Sequence, residues 1–148
     1  MKQEPILIYY ADDDQDDRFL FEEALPLTKS GASLHTFENG LELEQALQSK
    51  PHKPDYIFLD LNMPLRNGIE TLHALQRDIQ EKELKVIIFT TSDNPSHVQT
   101  TYNLGARLFV QKPSGFPELV KTLSHVLNAS TWPPQPDYDR FLYKLQDA

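Results

Sequence analysis

The sequence predicts an α/β domain, a mostly parallel sheet covered on both faces by helices, and three observations predict it. Short, continuous apolar runs recur along the chain, as the buried strands of a parallel sheet require. Between them lie stretches whose apolar residues repeat at helical spacing, the mark of helices that bury one side. Two of the runs end directly in acids: Ile6-Leu7-Ile8-Tyr9-Tyr10 leads into Ala11-Asp12-Asp13-Asp14, and Tyr56-Ile57-Phe58-Leu59 leads into Asp60. In open α/β sheets the chemistry collects just beyond the carboxyl ends of the strands.

Taken in order, strands are predicted over residues 6–10, 33–37, 56–59, 86–89 and 108–110. Helices are predicted around residues 16–25, 41–49, 69–80, 95–104 and 116–127. The helix near residue 69 shows Ile69, Leu72, Leu75 and Ile79 on one face. The last presents Phe116, Leu119, Val120, Leu123, Val126 and Leu127 on one stripe. Ser92 and Asn94 are caps in waiting ahead of Pro95, a residue tolerated in a first helical turn. Strict strand–helix alternation implies parallel pairing with crossover helices on both sides. Five such units make a three-layer, flavodoxin-like (βα)5 fold with strand order 2-1-3-4-5.

Composition bounds the function. A chain of 148 residues suits one domain with one sizeable core. The formal net charge of -8 argues against a nucleic-acid binder, whose footprint is a basic patch. No apolar run approaches the roughly 20 residues that span a bilayer, so no membrane partner is expected. Cysteine is absent, which removes disulfide and thiolate chemistry, and a cytoplasmic setting is expected. The five histidines, His35, His52, His73, His97 and His125, lack zinc-site spacing and read as surface or packing residues. There is no phosphate-binding glycine loop and no nucleophile elbow.

The acids carry the chemistry. Asp12, Asp13, Asp14, Asp16 and Asp17 crowd the first strand-to-helix turn. Acids cap helix N-termini, and that reading suits Asp16 and Asp17. Asp12 and Asp13 follow the strand directly, and with Asp60 they form a hard-oxygen site that suits Mg2+. Asp60 is open to three roles: metal ligand, helix cap or nucleophile, since carboxylates do form aspartyl phosphates. A phosphoryl group there needs donors and a cation. Thr90-Thr91-Ser92 after the fourth strand and Lys112-Pro113 after the fifth supply them.

Asp12-Asp13, Asp60-Leu61-Asn62-Met63-Pro64, Gly68, Thr90 and Lys112-Pro113, in this order and context, resemble the receiver domain of two-component response regulators over residues 6–127. The resemblance implies that Asp60 is the phosphoacceptor. It implies that Asp13 ligates Mg2+ directly, that Asp12 acts through water, and that Asn62 offers its backbone carbonyl. Thr90 and Lys112 would each contact a phosphoryl oxygen, with the N–H groups of Met63 and Thr91 as further donors. Phe109 stands at the family's switch aromatic; Phe lacks a tyrosine's hydroxyl but keeps the apolar drive to turn inward. Its plain alternative is a strand residue packed on a helix. The triplet leaves the ligand pair open between Asp12/Asp13 and Asp13/Asp14, with the length to Ala24-Leu25 favouring the first. The family also has a cis bond at the position of Lys112-Pro113.

The function implied is that of a stand-alone response regulator. It takes a phosphoryl group from a sensor histidine kinase or histidine phosphotransfer protein and signals by a surface change. It is a signalling phosphoacceptor rather than an enzyme, although the resemblance extends to catalysis of its own phosphorylation and dephosphorylation. One rival is a receiver-shaped binding module that works without phosphorylation. The other is a Mg2+-dependent aspartyl-phosphate phosphatase, which would carry an acid where Asn62 stands.

Residues 1–128 form the receiver in this reading, and 129–148 a Pro-rich connector and tail with no output domain. Tyr138, Phe141, Leu142 and Leu145, with Asp137 as N-cap, predict a short amphipathic helix. Such a helix folds back over its own domain, frays, or docks a partner or a second copy.

Overall fold

The computed structural model describes residues 5–49, 53–128 and 138–143. Five strand–helix units follow one another: β1 (Leu7–Ala11), α1 (Gln15–Ala24), β2 (Ser33–Phe37), α2 (Gly40–Ser49), β3 (Tyr56–Leu59), α3 (Gly68–Ala74), α4 (Gln76–Lys82), β4 (Val86–Thr90), α5 (Pro95–Asn103), β5 (Leu108–Gln111) and α6 (Phe116–Val126). A single turn, α7 (Tyr138–Phe141), and a two-residue strand, β6 (Leu142–Tyr143), close the described chain. All pairings are parallel, in the order β2-β1-β3-β4-β5-β6. The predicted order therefore holds for five strands and gains a sixth at one edge.

Side chains alternate across a strand, and here the alternation separates two cores. Ile8, Tyr10, Phe58, Ile87, Phe89 and Val110 face α1 and α6, meeting Phe21, Leu119 and Leu123. Tyr9, Ala11, Ile57, Leu59, Ile88 and Phe109 face the other helices, meeting Leu43, Leu72 and Val98. Among the described residues no helix is long and apolar enough to cross a membrane.

Register sets the site. Ala11 pairs with Leu59 across β1 and β3, so Asp12 and Asp60 leave neighbouring strands side by side. The Asp60 N–H donates to the Ala11 carbonyl at 3.0 Å, which holds the two strand ends level. Thr90 pairs with Gln111, and the Lys112 N–H donates to the Thr90 carbonyl at 2.7 Å. Gly68 is required where α3 begins, because a Cβ there would lie 2.4 Å from the Asp60 carbonyl oxygen. That backbone contact lets α3 pack directly on the end of β3.

Two predicted elements differ. The helix expected over 69–80 is broken at Leu75, with φ −94 and ψ 2. The Leu75 N–H donates to both Thr71 and Leu72 carbonyls, tightening the turn, and the Gln76 side-chain amide donates to the Leu72 carbonyl at 3.1 Å. A side chain thus takes an acceptor that a continuous helix would fill from its backbone.

The tail is the second correction. Its helix stops at Phe141, and Leu142 and Tyr143 run on as a strand beside Phe109 and Val110. Leu145 and Asp137 lie outside the described residues. The edge of β5 offers unpaired backbone groups that an extended segment satisfies and a longer helix would not. Phe141 is 1% exposed and packs against Tyr102 and Phe109, with ring centroids at 5.3 and 6.2 Å. The segment folds back over its own domain.

Because Phe141 is the fully buried ring of this docking, beside Tyr138 on Tyr102 and Tyr143 near His125, Phe141→Ala should lower stability to urea by up to about 3 kcal/mol. Amide exchange at Phe109 and Val110 should speed up in the same variant. Unchanged stability and unchanged exchange would show that the segment is not anchored there.

Candidate functional site

The site lies at the carboxyl ends of β1, β3, β4 and β5. Asp12 is wholly buried and Asp60 nearly so, while Asp13 is exposed. One oxygen from each of Asp12, Asp13 and Asp60 lies within 4.8 Å of the others. Carboxylates this close repel, and water is largely excluded from two of them.

Lys112 is the local remedy. Its ammonium, with a side chain only 9% exposed, lies 2.7 Å from Asp12 Oδ2, 2.7 Å from Asp17 Oδ2 and 3.3 Å from Asp60 Oδ2. Burial alone would discharge it. Hydrogen bonds to Asp12 and Asp17, with the charge of Asp60, outweigh that and hold its pKa above the ordinary lysine value. For Asp60 the balance goes the other way. Burial first, then the neighbouring Asp12 charge, raise its pKa above the ordinary carboxylate value, against lowering by Lys112 and the Thr90 hydroxyl.

The remaining contacts fix orientation. The Leu61 N–H donates to Asp60 Oδ1 at 2.7 Å, with the Asn62 N–H farther off at 3.5 Å. The Asp14 N–H donates to Asp12 Oδ1 at 2.9 Å. Asp14 itself caps α1, its side chain accepting from the N–H groups of Asp16 and Asp17 at 2.9 and 3.2 Å. Asn94 caps α5 in the same manner, accepting from Ser96 N–H at 2.9 Å.

The sequence-predicted residues are thus brought together at one edge: Asp12, Asp13 and Asp60 with Lys112, and Thr90 at the end of β4. Of the two ligand pairs left open, Asp12/Asp13 converges on Asp60 while Asp14 is engaged in capping. Asn62 sits in the loop after β3. Phe109 is buried on the opposite face of the sheet, beneath Phe141. One expectation is corrected: the cap of α1 is Asp14 rather than Asp16 or Asp17, and the Asp17 carboxylate turns to Lys112. The isomer of the bond before Pro113, open in the sequence, is trans, as are the other described peptide bonds, and Lys112 reaches the acids.

Sequence reasoning missed Tyr10 and Arg18. The Tyr10 hydroxyl donates to Asp12 Oδ2 at 2.5 Å. Burial and the adjacent Asp12 charge push the phenol's pKa well above its ordinary value, so it stays a donor. A signal existed: Tyr10 and Asp12 are two apart on a strand and share a face, and a buried tyrosine hydroxyl needs a partner. Arg18 donates to the Asp12 backbone carbonyl at 2.6 Å and pairs with Glu38 at 3.6 Å.

An open parallel sheet with buried acids and an ammonium gathered at its carboxyl edge is the build of a doubly wound α/β domain with an acidic site. Residues 8–124 match the profile of the response regulator receiver domain, and the chain belongs to that family. It is 27% identical to the response regulator Rcp1 of Synechocystis over 127 residues, 82% of this chain and 86% of that protein. It is 31% identical over 132 residues to the DNA-binding transcriptional regulator NtrC of Escherichia coli, covering 88% of this chain but only 26% of NtrC's length. The structure of the phosphorylated cyanobacterial phytochrome response regulator RcpA superposes with a TM-score of 0.78 at 25% identity, over 88% of this chain and 99% of that one. The Mn2+-bound form of Rcp1 superposes with a TM-score of 0.76 at 27% identity, over 87% of this chain and 99% of that one.

The charge balance has a direct consequence. Lys112→Met keeps the apolar stem but leaves buried carboxylates unpaired, so metal-free stability should fall by about 3 kcal/mol. Millimolar Mg2+ should restore part of that loss in thermal unfolding. A variant as stable as its parent without metal would contradict this account of Lys112.

Proposed function

We propose that this response regulator accepts a phosphoryl group onto Asp60, from a phosphohistidine of a sensor histidine kinase or histidine phosphotransfer protein, in a Mg2+-dependent reaction. Residues 1–128 would form the receiver, with 129–148 a connector and tail. The observation that carries the reading is one buried ammonium shared among Asp12, Asp17 and Asp60, a cation positioned for a larger negative charge than any single carboxylate presents.

In the reaction an Asp60 carboxylate oxygen forms the new bond to phosphorus as the donor's N–P bond breaks. The electron pair of that bond stays on the imidazole nitrogen. Asp13, Asp60 and the Asn62 carbonyl would hold Mg2+, with Asp12 acting through water; the all-oxygen donor set fits a hard cation. When bound, Mg2+ supplies positive charge for the phosphoryl oxygens and offsets the carboxylate repulsion. Lys112 would turn from Asp17 and Asp12 toward one phosphoryl oxygen and the Thr90 hydroxyl toward another, with the Met63 and Thr91 N–H groups as further donors.

Signalling would follow through the β4–β5 pair. Thr90 and Phe109 lie on strands locked in register, and Phe109 carries the ring of Phe141. A shift of Thr90 that reseats Phe109 would alter the docked tail and the surface of α5 and β5. The same β5 edge would accept the corresponding segment of a second copy, which supports a homodimer or partner exchange through the tail. Exposed Leu65, at 82%, in the loop after β3, would offer an apolar contact to an approaching kinase.

Intact mass after incubation with acetyl phosphate and Mg2+ tests the proposal. One phosphoryl adduct is expected, absent in Asp60→Asn and absent when Mg2+ is chelated. An adduct that persists in Asp60→Asn would remove Asp60 from the role.

A further inference from the structure

We propose that Tyr10 is a positioning residue of the acid site, its phenol holding Asp12 out of direct contact with the bound cation and keeping it satisfied when Lys112 moves away. The inference rests on the Mg2+ and phosphoryl reading given above and adds a residue to it.

Asp12 is wholly buried and has three donors within reach besides any ion. Oδ1 accepts the Asp14 N–H at 2.9 Å; Oδ2 accepts Lys112 Nζ at 2.7 Å and the Tyr10 hydroxyl at 2.5 Å. The phenol contact has the length of a charge-assisted hydrogen bond. Its hydrogen points at Oδ2, so a cation approaching that oxygen would meet a positive dipole. The remaining carboxylates, Asp13 and Asp60, are then the natural direct ligands, and Asp12 acts through an ordered water.

The two donors on Oδ2 differ in freedom. Lys112 sits on a flexible stem and divides its ammonium among Asp12, Asp17 and Asp60. Tyr10 has no such latitude. Its ring is fully buried, against Phe21 at 4.4 Å and Phe89 at 5.8 Å between centroids, and Phe21 is held in turn by Phe58 at 5.0 Å. When the ammonium is drawn to a phosphoryl group on Asp60, the phenol remains. Without it Oδ2 would be a buried, unpartnered carboxylate oxygen, which is far costlier than a neutral group in the same place.

Tyr10→Phe tests this, because it keeps the ring and removes only the donor. Isothermal titration with Mg2+ should show a dissociation constant lowered by about fivefold, as the competing donor is gone. Thermal unfolding should show the variant less stable than its parent without Mg2+, with the gap closing as Mg2+ rises. Phe21→Leu serves as the packing control and should lose stability equally with and without Mg2+. Unchanged or weaker Mg2+ binding by Tyr10→Phe, while the parent binds, would overturn the role of Tyr10 alone. A parent that binds no Mg2+ would overturn the metal reading, and this inference with it.

Discussion

One ammonium among three carboxylates is the interaction on which the rest of this structure depends. Asp12 and Asp60 are brought together by the β1–β3 register, and both are buried. Asp17 reaches in from α1. Lys112, placed by the β4–β5 pairing, is their common counter-charge. A single positive charge cannot neutralise three negative ones, and burial first, then the Asp12 charge, raise the pKa of Asp60 against the lowering by Lys112 and Thr90. A site left short of positive charge is one that a cation would stabilise.

The fold turns that local imbalance into a surface property. Tyr10 and the aromatic cluster under it belong to the face covered by α1 and α6, a tightly wedged support for the acids. Phe109 belongs to the other face, under α5 and the docked tail. Thr90 ends β4, its hydroxyl acting on Asp60 and its carbonyl accepting the Lys112 N–H. One side of the sheet carries Tyr10 beneath Asp12. The other ends at an edge strand covered by a short segment that sets Phe141 and Tyr138 against Tyr102, pairs with β5 over two residues and places the Tyr143 hydroxyl 3.2 Å from His125 Nδ1.

Much of this was legible in the sequence, and for physical reasons. Buried parallel strands must be apolar throughout, so residues 56–59 and 86–89 announced themselves, and an acid ending such a run stands out against it. Lys112 and Thr90 were legible because polar groups at strand ends fall at one edge of a parallel sheet. What escaped was decided by tertiary contact. The break at Leu75 depends on where the Gln76 amide finds its acceptors, the Leu72 carbonyl and, across to α5, the Leu104 carbonyl. The tail carries helical spacing, but the open edge of β5 outbids that preference after Phe141. Asp17 looked like any acid in a first helical turn until the position of Lys112 gave it a partner. Tyr10 was hidden by its own apolarity, since its ring packs in the core and only its hydroxyl meets the site.

The most direct measurement is a carboxyl-carbon NMR titration of Asp60 in the metal-free protein, repeated with saturating Mg2+. The account predicts a midpoint above the ordinary aspartate value without metal, moving down when Mg2+ is added. Since the folded-state pKa is the raised one, metal-free stability should also decline as pH rises from the ordinary aspartate value through that midpoint. A metal-free midpoint at or below the ordinary value would mean that Lys112 fully satisfies the cluster, and the charge deficit at the centre of this account would not exist.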